Sequence, residues 1–255
     1  YSPNSVEMIK TRLRTLHKHG LVERDKKSTK FYNSPYYYTL SNKSANYLKE
    51  RGADIPDSFR GSKEINRQPI FIQHTLEAND IYISAARLQA ANPLYYLDEF
   101  IHERKLKERP CDVTWRGQTL RLIPDGFFHF CAIQPDGGER HKRFLLEHDC
   151  DTEYGEGFRE KIRAWIAYMR AEKYQQHFGI KSVIVCFTTF KGEKRRDYMR
   201  RVLREELAGD RELCAYFLFT SQSEAPDPLH LWLGTCWYGP YDGPPVALLG
   251  GGQHG

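Results

Sequence analysis

Apolar residues recur with the period of an α-helix along the first twenty positions of the chain. They follow one another at intervals of three or four residues: Val6, Ile9, Leu13 and Leu16. This spacing predicts a helix with one buried stripe, because residues three and four apart lie on the same helix face. Asn4 or Ser5 is a suitable N-cap, and Gly20 stands where the chain leaves the helix.

Basic and hydrogen-bonding residues occupy the opposite side of this predicted helix. They fall within about a 100° arc at roughly 100° per residue, and they are Lys10, Thr11, Arg14 and Lys18. The stretch LVERDKKSTKFYNSPYYYTLS then predicts two strands joined by a basic turn. The turn carries Lys26, Lys27 and Lys30. This order resembles the recognition helix and wing of a winged helix-turn-helix domain. We assign that domain to residues 1–52, with these side chains as candidate DNA contacts.

A winged helix carries one or two helices before its recognition helix, whereas this chain begins almost at the recognition helix itself. We therefore expect further residues before Tyr1, because Val6 and Leu13 could not otherwise be properly buried. Residues 53–70 mix Pro, Gly, Ser and charged residues without a period, which predicts a linker.

Helical and strand-like runs alternate over residues 71–223. Helices are predicted from 71 to 92, near 155–173 and near 194–208, and strands near 95–103, 119–131, 142–149, 182–189 and 214–220. This alternation indicates an α/β domain. Residues 224–255 are rich in Pro and Gly, and we expect a C-terminal extension with an edge strand in LHLWLGTCW and a flexible tail, GGGQHG.

The basic excess lies entirely in the first quarter of the chain. The net charge is +5 overall, but residues 1–67 hold 14 Lys and Arg against 7 Asp and Glu, which leaves 24 against 26 in the remainder. This asymmetry indicates a module that binds a polyanion, joined to a nearly neutral domain. The start of the helix near 194–208 is also basic, and we interpret it either as a solvated face or as a phosphate-contacting surface.

Composition indicates a folded, cytoplasmic protein with no membrane partner. Apolar residues make up 40% of the 255 positions, and no apolar run approaches the roughly 18 residues that span a bilayer. The six cysteines include no Cys-x-x-Cys pair, so neither a zinc site nor a disulfide framework is favoured. No pattern for a nucleotide or redox cofactor, or for a Ser or Cys nucleophile, is found.

Three acidic residues lie in or at the ends of neighbouring predicted strands. Asp125 follows Pro124, and Glu147 and Asp149 end the run RFLLEHD. Side chains at i and i+2 share a strand face, so Glu147 and Asp149 should point together while His148 points away. Carboxylates are ligands that Mg²⁺ prefers, which makes these three acids a candidate metal site. The alternative is three acids that simply face solvent.

A lysine on the following helix lies within reach of these acids. The apolar stripe of that helix consists of Phe158, Ile162, Trp165, Ile166 and Met169. Lys161 lies about 85° from the centre of the stripe at roughly 100° per residue, so its ammonium can extend to the acidic strand end. The alternative is a side chain that covers Trp165 with its methylenes and ends in water.

The segments PDG, FLLEHDCDTE and FREKIRAWIAYM resemble the core of the replication-relaxation family of plasmids and other mobile elements. In that family a winged helix precedes a domain similar to the PD-(D/E)xK nuclease fold. The resemblance implies that Asp125 and Glu147 hold a metal and that Glu77, on the first helix, can assist. It also implies a Lys two residues after Glu147, where this chain has Asp149. Either Lys161 supplies that ammonium or hydrolysis has been lost.

Three functions follow from these patterns. The first is an accessory protein that binds double-stranded DNA in plasmid replication or relaxation, with plasmid replication proteins as further partners. The second is a Mg²⁺-dependent nuclease or nickase with Asp125, Glu147, Asp149, Lys161 and Glu77 in its site. The third is a winged-helix transcriptional regulator with an inactive nuclease-like domain, and homodimerisation is open in each case.

Overall fold

The computed structural model describes residues 3–26, 36–223 and 225–250, and the chain divides into two units, Tyr1–Gln73 and His74–Gly255. The first unit contains α1 (Pro3–Lys18), β1 (Val22–Lys26), β2 (Tyr36–Leu40), α2 (Asn42–Glu50) and α3 (Gly61–Ile65). Helix α4 (Pro69–Ala91) begins in the first unit and continues into the second.

The first unit is organised around an antiparallel hairpin. Strands β1 and β2 pair from Val22 with Leu40 to Lys26 with Tyr36. Ser41 caps α2, because its hydroxyl accepts a hydrogen bond from the Ser44 amide at 3.2 Å. A helix followed by a two-stranded hairpin agrees with the predicted order of elements.

The apolar stripe on α1 is largely exposed in this unit, in line with the expectation that the residues present cannot properly bury Val6 and Leu13. Val6, Ile9 and Leu16 are 40%, 43% and 38% exposed, and Leu13 is only half-buried. Helix α1 packs against β1, and one two-stranded neighbour cannot cover a stripe that runs along the whole helix.

The expected linker contains ordered structure. Helix α3 lies within it, and the Tyr37 hydroxyl donates a hydrogen bond to the Ile65 carbonyl at 2.6 Å. The Gly61 amide donates to Asn42 Oδ1 at 2.8 Å, and a Cβ at Gly61 would clash with the Leu40 carbonyl oxygen. Glycine therefore lets this segment approach the hairpin, a contact that local composition does not reveal.

The second unit is built on a five-stranded mixed sheet in the order β3-β6-β7-β8-β9. Its strands are β3 (Tyr95–His102), β6 (Gly126–Ile133), β7 (Glu139–Asp149), β8 (Ile184–Thr189) and β9 (Phe217–Ser221). The first three pair antiparallel, and β7, β8 and β9 pair parallel. A separate hairpin consists of β4 (Cys111–Trp115) and β5 (Gln118–Leu122). The α/β class is confirmed.

Helices cover both faces of this sheet. They are α5 (Glu103–Leu106), α6 (Gly155–Arg170), α7 (Lys173–Phe178), α8 (Glu193–Leu207), α9 (Arg211–Cys214) and α10 (Pro228–Leu233), together with the second-unit part of α4. One core joins α6 and α8 to the face that carries Phe127 and Leu145. The other joins α4 and α10 to the face that carries Phe128 and Phe144. Side chains that alternate along β6 and β7 therefore enter different cores.

Two predicted elements differ in the structure. The single strand expected at 119–131 is divided into β5, in the hairpin, and β6, in the main sheet, because the chain leaves β-structure at Ile123–Asp125. The expected C-terminal edge strand is helix α10, capped by Asp227, whose side chain accepts from the His230 amide at 2.8 Å. Trp232, Trp237 and Leu249 are buried in the second core, since large apolar side chains outweigh a Pro- and Gly-rich composition.

Residues 251–255, which include most of the expected flexible tail, lie outside the described residues. Within the described ranges, no helix combines the length and the apolar character that crossing a membrane requires.

Candidate functional site

The ends of β6 and β7 bring two of the predicted acids together. Gly126 pairs with Leu146, and the Asp125 amide donates a hydrogen bond to the Leu146 carbonyl at 2.9 Å. Asp125 therefore lies beside Glu147 across the antiparallel pair. Both residues are buried, at 9% and 4% exposure.

Lys161 and Trp165 of α6 bind the Glu147 carboxylate. The Lys161 ammonium lies 2.9 Å from Glu147 Oε1, and Trp165 Nε1 donates to Oε2 at 3.0 Å. Lys161 also lies 2.9 Å from a carboxylate oxygen of Glu153. The Lys161 side chain is 30% exposed, so the ammonium links the buried acid to the surface. The predicted reach of Lys161 to the acidic strand end is observed.

His74, near the start of the second unit, is the partner of Asp125. Its Nε2 lies 3.2 Å from Asp125 Oδ2, an atom that also accepts from the His148 amide at 2.7 Å. Burial lowers the pKa of His74, but the hydrogen bond to Asp125 and the Asp125 charge outweigh it and raise the pKa to about 9. Burial acts to raise the pKa of Asp125, yet the hydrogen bond and charge of His74 bring it below its usual value. This pair is therefore ionised at neutral pH.

The pKa of Glu147 is raised, whereas that of Asp125 is lowered. Burial raises the pKa of Glu147, the Lys161 charge opposes that rise, and the Asp125 charge adds to it, with a net value of about 7. A buried carboxyl with a pKa near neutrality, in contact with an ammonium, can exchange a proton under physiological conditions.

Asp149 occupies a separate ion pair. Arg195 Nε and Nη2 donate to its two carboxylate oxygens at 2.7 Å each, and both side chains are about 5% exposed or less. The Arg195 guanidinium also lies over the rings of Tyr154 and Tyr198, at 4.5 and 4.8 Å from their centroids. The metal role expected of Asp149 stays a prediction, and a metal ion would have to replace Arg195 at both carboxylate oxygens.

Glu77 lies on the other face of the sheet. Its Oε2 is 2.8 Å from His148 Nε2 and accepts from Cys150 Sγ at 3.3 Å. His148 Nδ1 is 2.9 Å from Thr188 Oγ1, which completes a buried polar network. His148 therefore faces away from Glu147, as predicted. Glu77 contacts His148 on that face of the sheet. The Glu77 carboxylate contacts His148 and Cys150, and its role of assisting Asp125 and Glu147 stays a prediction.

The candidate DNA contacts on α1 are all exposed. These residues are Lys10, Thr11, Arg14 and Lys18. Lys10 and Arg14 lie 3.5 and 3.4 Å from Glu7, and their side chains are 57% and 59% exposed. Lys26, at the end of β1, extends over the ring of Tyr36 at 5.7 Å from its centroid. Lys27 and Lys30 lie outside the described residues.

The model of the replication-relaxation family matches residues 2–184, well over half of the chain. The chain belongs to the replication-relaxation family. The match runs from α1 to the start of β8, so it includes Asp125, Glu147, Asp149 and Lys161. No curated protein and no solved structure matches the chain. Family membership connects the chain to the replication or relaxation of plasmids and other mobile elements.

The predicted acids meet only part of what binding of a small hard cation such as Mg²⁺ requires. Two groups of three potential ligands come within 4.8 Å of one another in the described part of the chain, and neither includes Asp125, Glu147 or Asp149. Mg²⁺ commonly uses one or two carboxylates and completes its shell with water and phosphate oxygens. Asp125 and Glu147 lie side by side and are the candidate pair, with Lys161 and Trp165 already bound to the two oxygens of Glu147.

Three contacts of the predicted acids were not foreseen from the sequence. His74 binds Asp125, Trp165 binds Glu147 and Arg195 binds Asp149. A signal for Trp165 exists, because it lies four residues after Lys161 on α6 and therefore on the same side. His74 and Arg195 come from segments distant along the chain, so local spacing contains no signal for them.

The stability that His74 contributes to the second unit should depend on pH. Protonated His74 pairs with Asp125, and its folded pKa of about 9 lies above the usual 6.5. The contribution is therefore complete below about pH 6.5 and is lost as the pH rises through 9. Urea unfolding of wild type and His74→Gln between about pH 6 and 9 measures this difference in the free energy of unfolding. Replacement of the exposed His230 by Gln is the control. A difference between wild type and His74→Gln that stays constant with pH would contradict the assignment.

Proposed function

We propose that this chain binds duplex DNA through the basic face of α1, as an accessory protein in the replication or relaxation of a plasmid or other mobile element. The observation that carries the proposal is the exposure of Lys10, Arg14 and Lys18 along one side of that helix. These residues are four apart and about 6 Å apart along the axis at 1.5 Å per residue. They form a single line of positive charge.

The dimensions of α1 suit the major groove of DNA. A helix with side chains is about 10–12 Å across, and the groove is about 12 Å wide. Thr11 lies within the basic arc and supplies a hydroxyl that can bond a phosphate or a base edge. The contacts of Lys10 and Arg14 with Glu7 are exposed ion pairs, which contribute little, so phosphates can displace Glu7 at small cost.

Fluorescence anisotropy with a labelled duplex of random sequence tests this proposal. We expect binding whose logarithmic affinity falls linearly with the logarithm of salt concentration, because bound phosphates release counterions. Absence of binding at low salt would overturn the proposal. Tight binding to one palindromic operator, with weak binding to other duplexes, would instead favour the transcriptional-regulator hypothesis.

A second candidate is metal-dependent hydrolysis of a phosphodiester at the strand-end site. The observation that favours it is the Lys161 ammonium, 2.9 Å from Glu147 and beside Asp125 at a partly exposed edge. Asp125 and Glu147 would hold Mg²⁺, which activates water and neutralises developing charge in such reactions. Lys161 can donate hydrogen bonds to a phosphate oxygen, the role that the family resemblance gives to a Lys at the position of Asp149.

Supercoiled plasmid incubated with the protein and Mg²⁺ tests the second candidate. We expect nicked product from wild type, no product from Glu147→Gln, and a reduced rate from Lys161→Met. Lys181→Met, which removes an exposed lysine of the same unit, is the matched control. An intact plasmid after incubation with wild type would eliminate hydrolysis and leave the DNA-binding proposal unaffected.

A further inference from the structure

Two histidines and a cysteine converge at the end of β6 and β7 remote from Glu147. His129 and Cys131 are two residues apart on β6 and therefore share a face. Cys131 is the cross-strand partner of His141 on β7. His141 and Glu147 are six residues apart on β7, which places this cluster about 20 Å from the acidic site at 3.3 Å per residue.

The three side chains are already within contact distance. His129 Nε2 lies 2.9 Å from His141 Nδ1, and Cys131 Sγ lies 3.1 Å from the same nitrogen. All three potential ligand atoms lie within 4.8 Å of one another. Zinc bonds of about 2.0–2.1 Å to nitrogen and 2.3 Å to sulfur separate tetrahedral ligand atoms by about 3.4–3.6 Å. Around a zinc ion, the two separations of 2.9 and 3.1 Å would lengthen by about half an ångström, and the third, between His129 Nε2 and Cys131 Sγ, starts within 4.8 Å.

A carboxylate orients one of the imidazoles. Asp98 Oδ2 lies 3.0 Å from His129 Nδ1, the nitrogen that does not face the cluster. Asp98 occupies this position because the pairing of β3 with β6 shifts register between Leu97 and Glu99. A carboxylate that accepts from one ring nitrogen leaves the other free to bind a metal, as in carboxylate–histidine–zinc arrangements.

The chemistry of the cluster selects the kind of metal. Thiolate and imidazole are ligands of Zn²⁺ and of copper and are poor ligands of Mg²⁺. Cys131 is buried and His141 is exposed, so one side of the cluster is closed and the other opens to solvent.

We propose that His129, Cys131 and His141 form a Zn²⁺ site with three protein ligands and a fourth position open to water. On binding, the Cys131 thiol releases its proton to solvent and the thiolate bonds to the metal. This site uses β6, β7 and, through Asp98, β3, and it is independent of the proposed DNA and Mg²⁺ functions.

Metal titration of the full chain after chelator treatment tests the site. We expect about one equivalent of Zn²⁺ to bind per chain and to raise the melting temperature. Co²⁺ should give a thiolate-to-metal charge-transfer absorption, which a site without the cysteine cannot produce. Both signals should be lost in Cys131→Ser and in His141→Ala. His141 is exposed, so its replacement should leave the circular dichroism spectrum unchanged.

Two control variants locate the metal. Cys111→Ser removes the half-buried cysteine of β4, and Cys150→Ser removes the thiol of the other three-residue cluster, Glu77, His148 and Cys150. Both variants should retain Zn²⁺ and the Co²⁺ absorption. Absence of these signals in wild type, or their survival in folded Cys131→Ser, would overturn the proposal.

Discussion

Replacing Arg195 with methionine is expected to lower the free energy of unfolding by about 3–5 kcal/mol, the usual cost of breaking a buried ion pair from one side. Asp149 is 5% exposed and would keep its charge without the two hydrogen bonds from the guanidinium. The variant also loses the contacts of Arg195 with the rings of Tyr154 and Tyr198. Urea unfolding followed by far-ultraviolet circular dichroism measures the difference.

The comparison variants isolate the ion pair from general damage to α8. Lys194→Met changes an exposed basic residue of the same helix, and we expect an effect within about 0.5 kcal/mol. Asp149→Leu combined with Arg195→Met removes both charges and should recover part of the lost stability. A double variant as unstable as the sum of the two single variants would show that Arg195 and Asp149 are not coupled.

The second large effect is expected on DNA binding. Lys10→Ala combined with Arg14→Ala should weaken binding to duplex DNA on the order of 10- to 100-fold at about 0.1 M salt, because each lost phosphate contact costs roughly one factor of ten at this salt concentration. The slope of logarithmic affinity against logarithmic salt concentration should become shallower by about 1.8, or 0.9 for each contact. Anisotropy titrations at several salt concentrations measure both quantities.

Arg12→Ala provides the matched control for this variant. Arg12 is exposed on the same helix. Around the helix axis it lies about 160° from both Lys10 and Arg14, at 100° per residue. It should leave the salt slope nearly unchanged. If Arg12→Ala lowered the affinity for duplex DNA as much as Lys10→Ala or Arg14→Ala alone, net charge and not this face would determine binding.

Strand periodicity predicted the part of the site that depends on neighbouring strands. Asp125 and Glu147 lie together because two consecutive strands form an antiparallel pair. Successive side chains of β7 point to opposite faces of the sheet, which separates Glu147 from His148. The stripe on α6 also predicted that Lys161 lies at the edge of the packed face. These contacts depend on local geometry, which the sequence pattern specifies.

Contacts between distant segments were not predictable in the same way. The pattern of α4 does not specify which face of the sheet the helix covers, so the contacts of Glu77 with His148 and Cys150 were not predicted. The basic start of the helix near 194–208 was interpreted as a solvated face or as a phosphate-contacting surface, yet Arg195 and Arg196, which lie there, are only 5% and 8% exposed. Arg195 is buried because Asp149 compensates its charge, and this compensation exists only in the folded unit.

The C-terminal extension and the proposed zinc ligands show two further limits. An edge strand was predicted in LHLWLGTCW, but Pro228–Leu233 form a helix, and Trp232 and Trp237 are buried in the second core. The absence of Cys-x-x-Cys spacing argued against a zinc site, whereas strand pairing brings Cys131 and His141 together from ten residues apart. Composition and the spacing of nearby residues do not predict contacts that depend on the register between paired strands.

Photo-crosslinking from position 11 tests the central claim most directly. A photoreactive amino acid in place of Thr11 lies within the basic arc of α1, and one in place of Met8 is exposed outside that arc. With a labelled duplex at low salt, we expect a covalent protein–DNA product from position 11 and little from position 8. Absence of product from position 11, or equal product from both positions, would contradict DNA binding by this face of the helix.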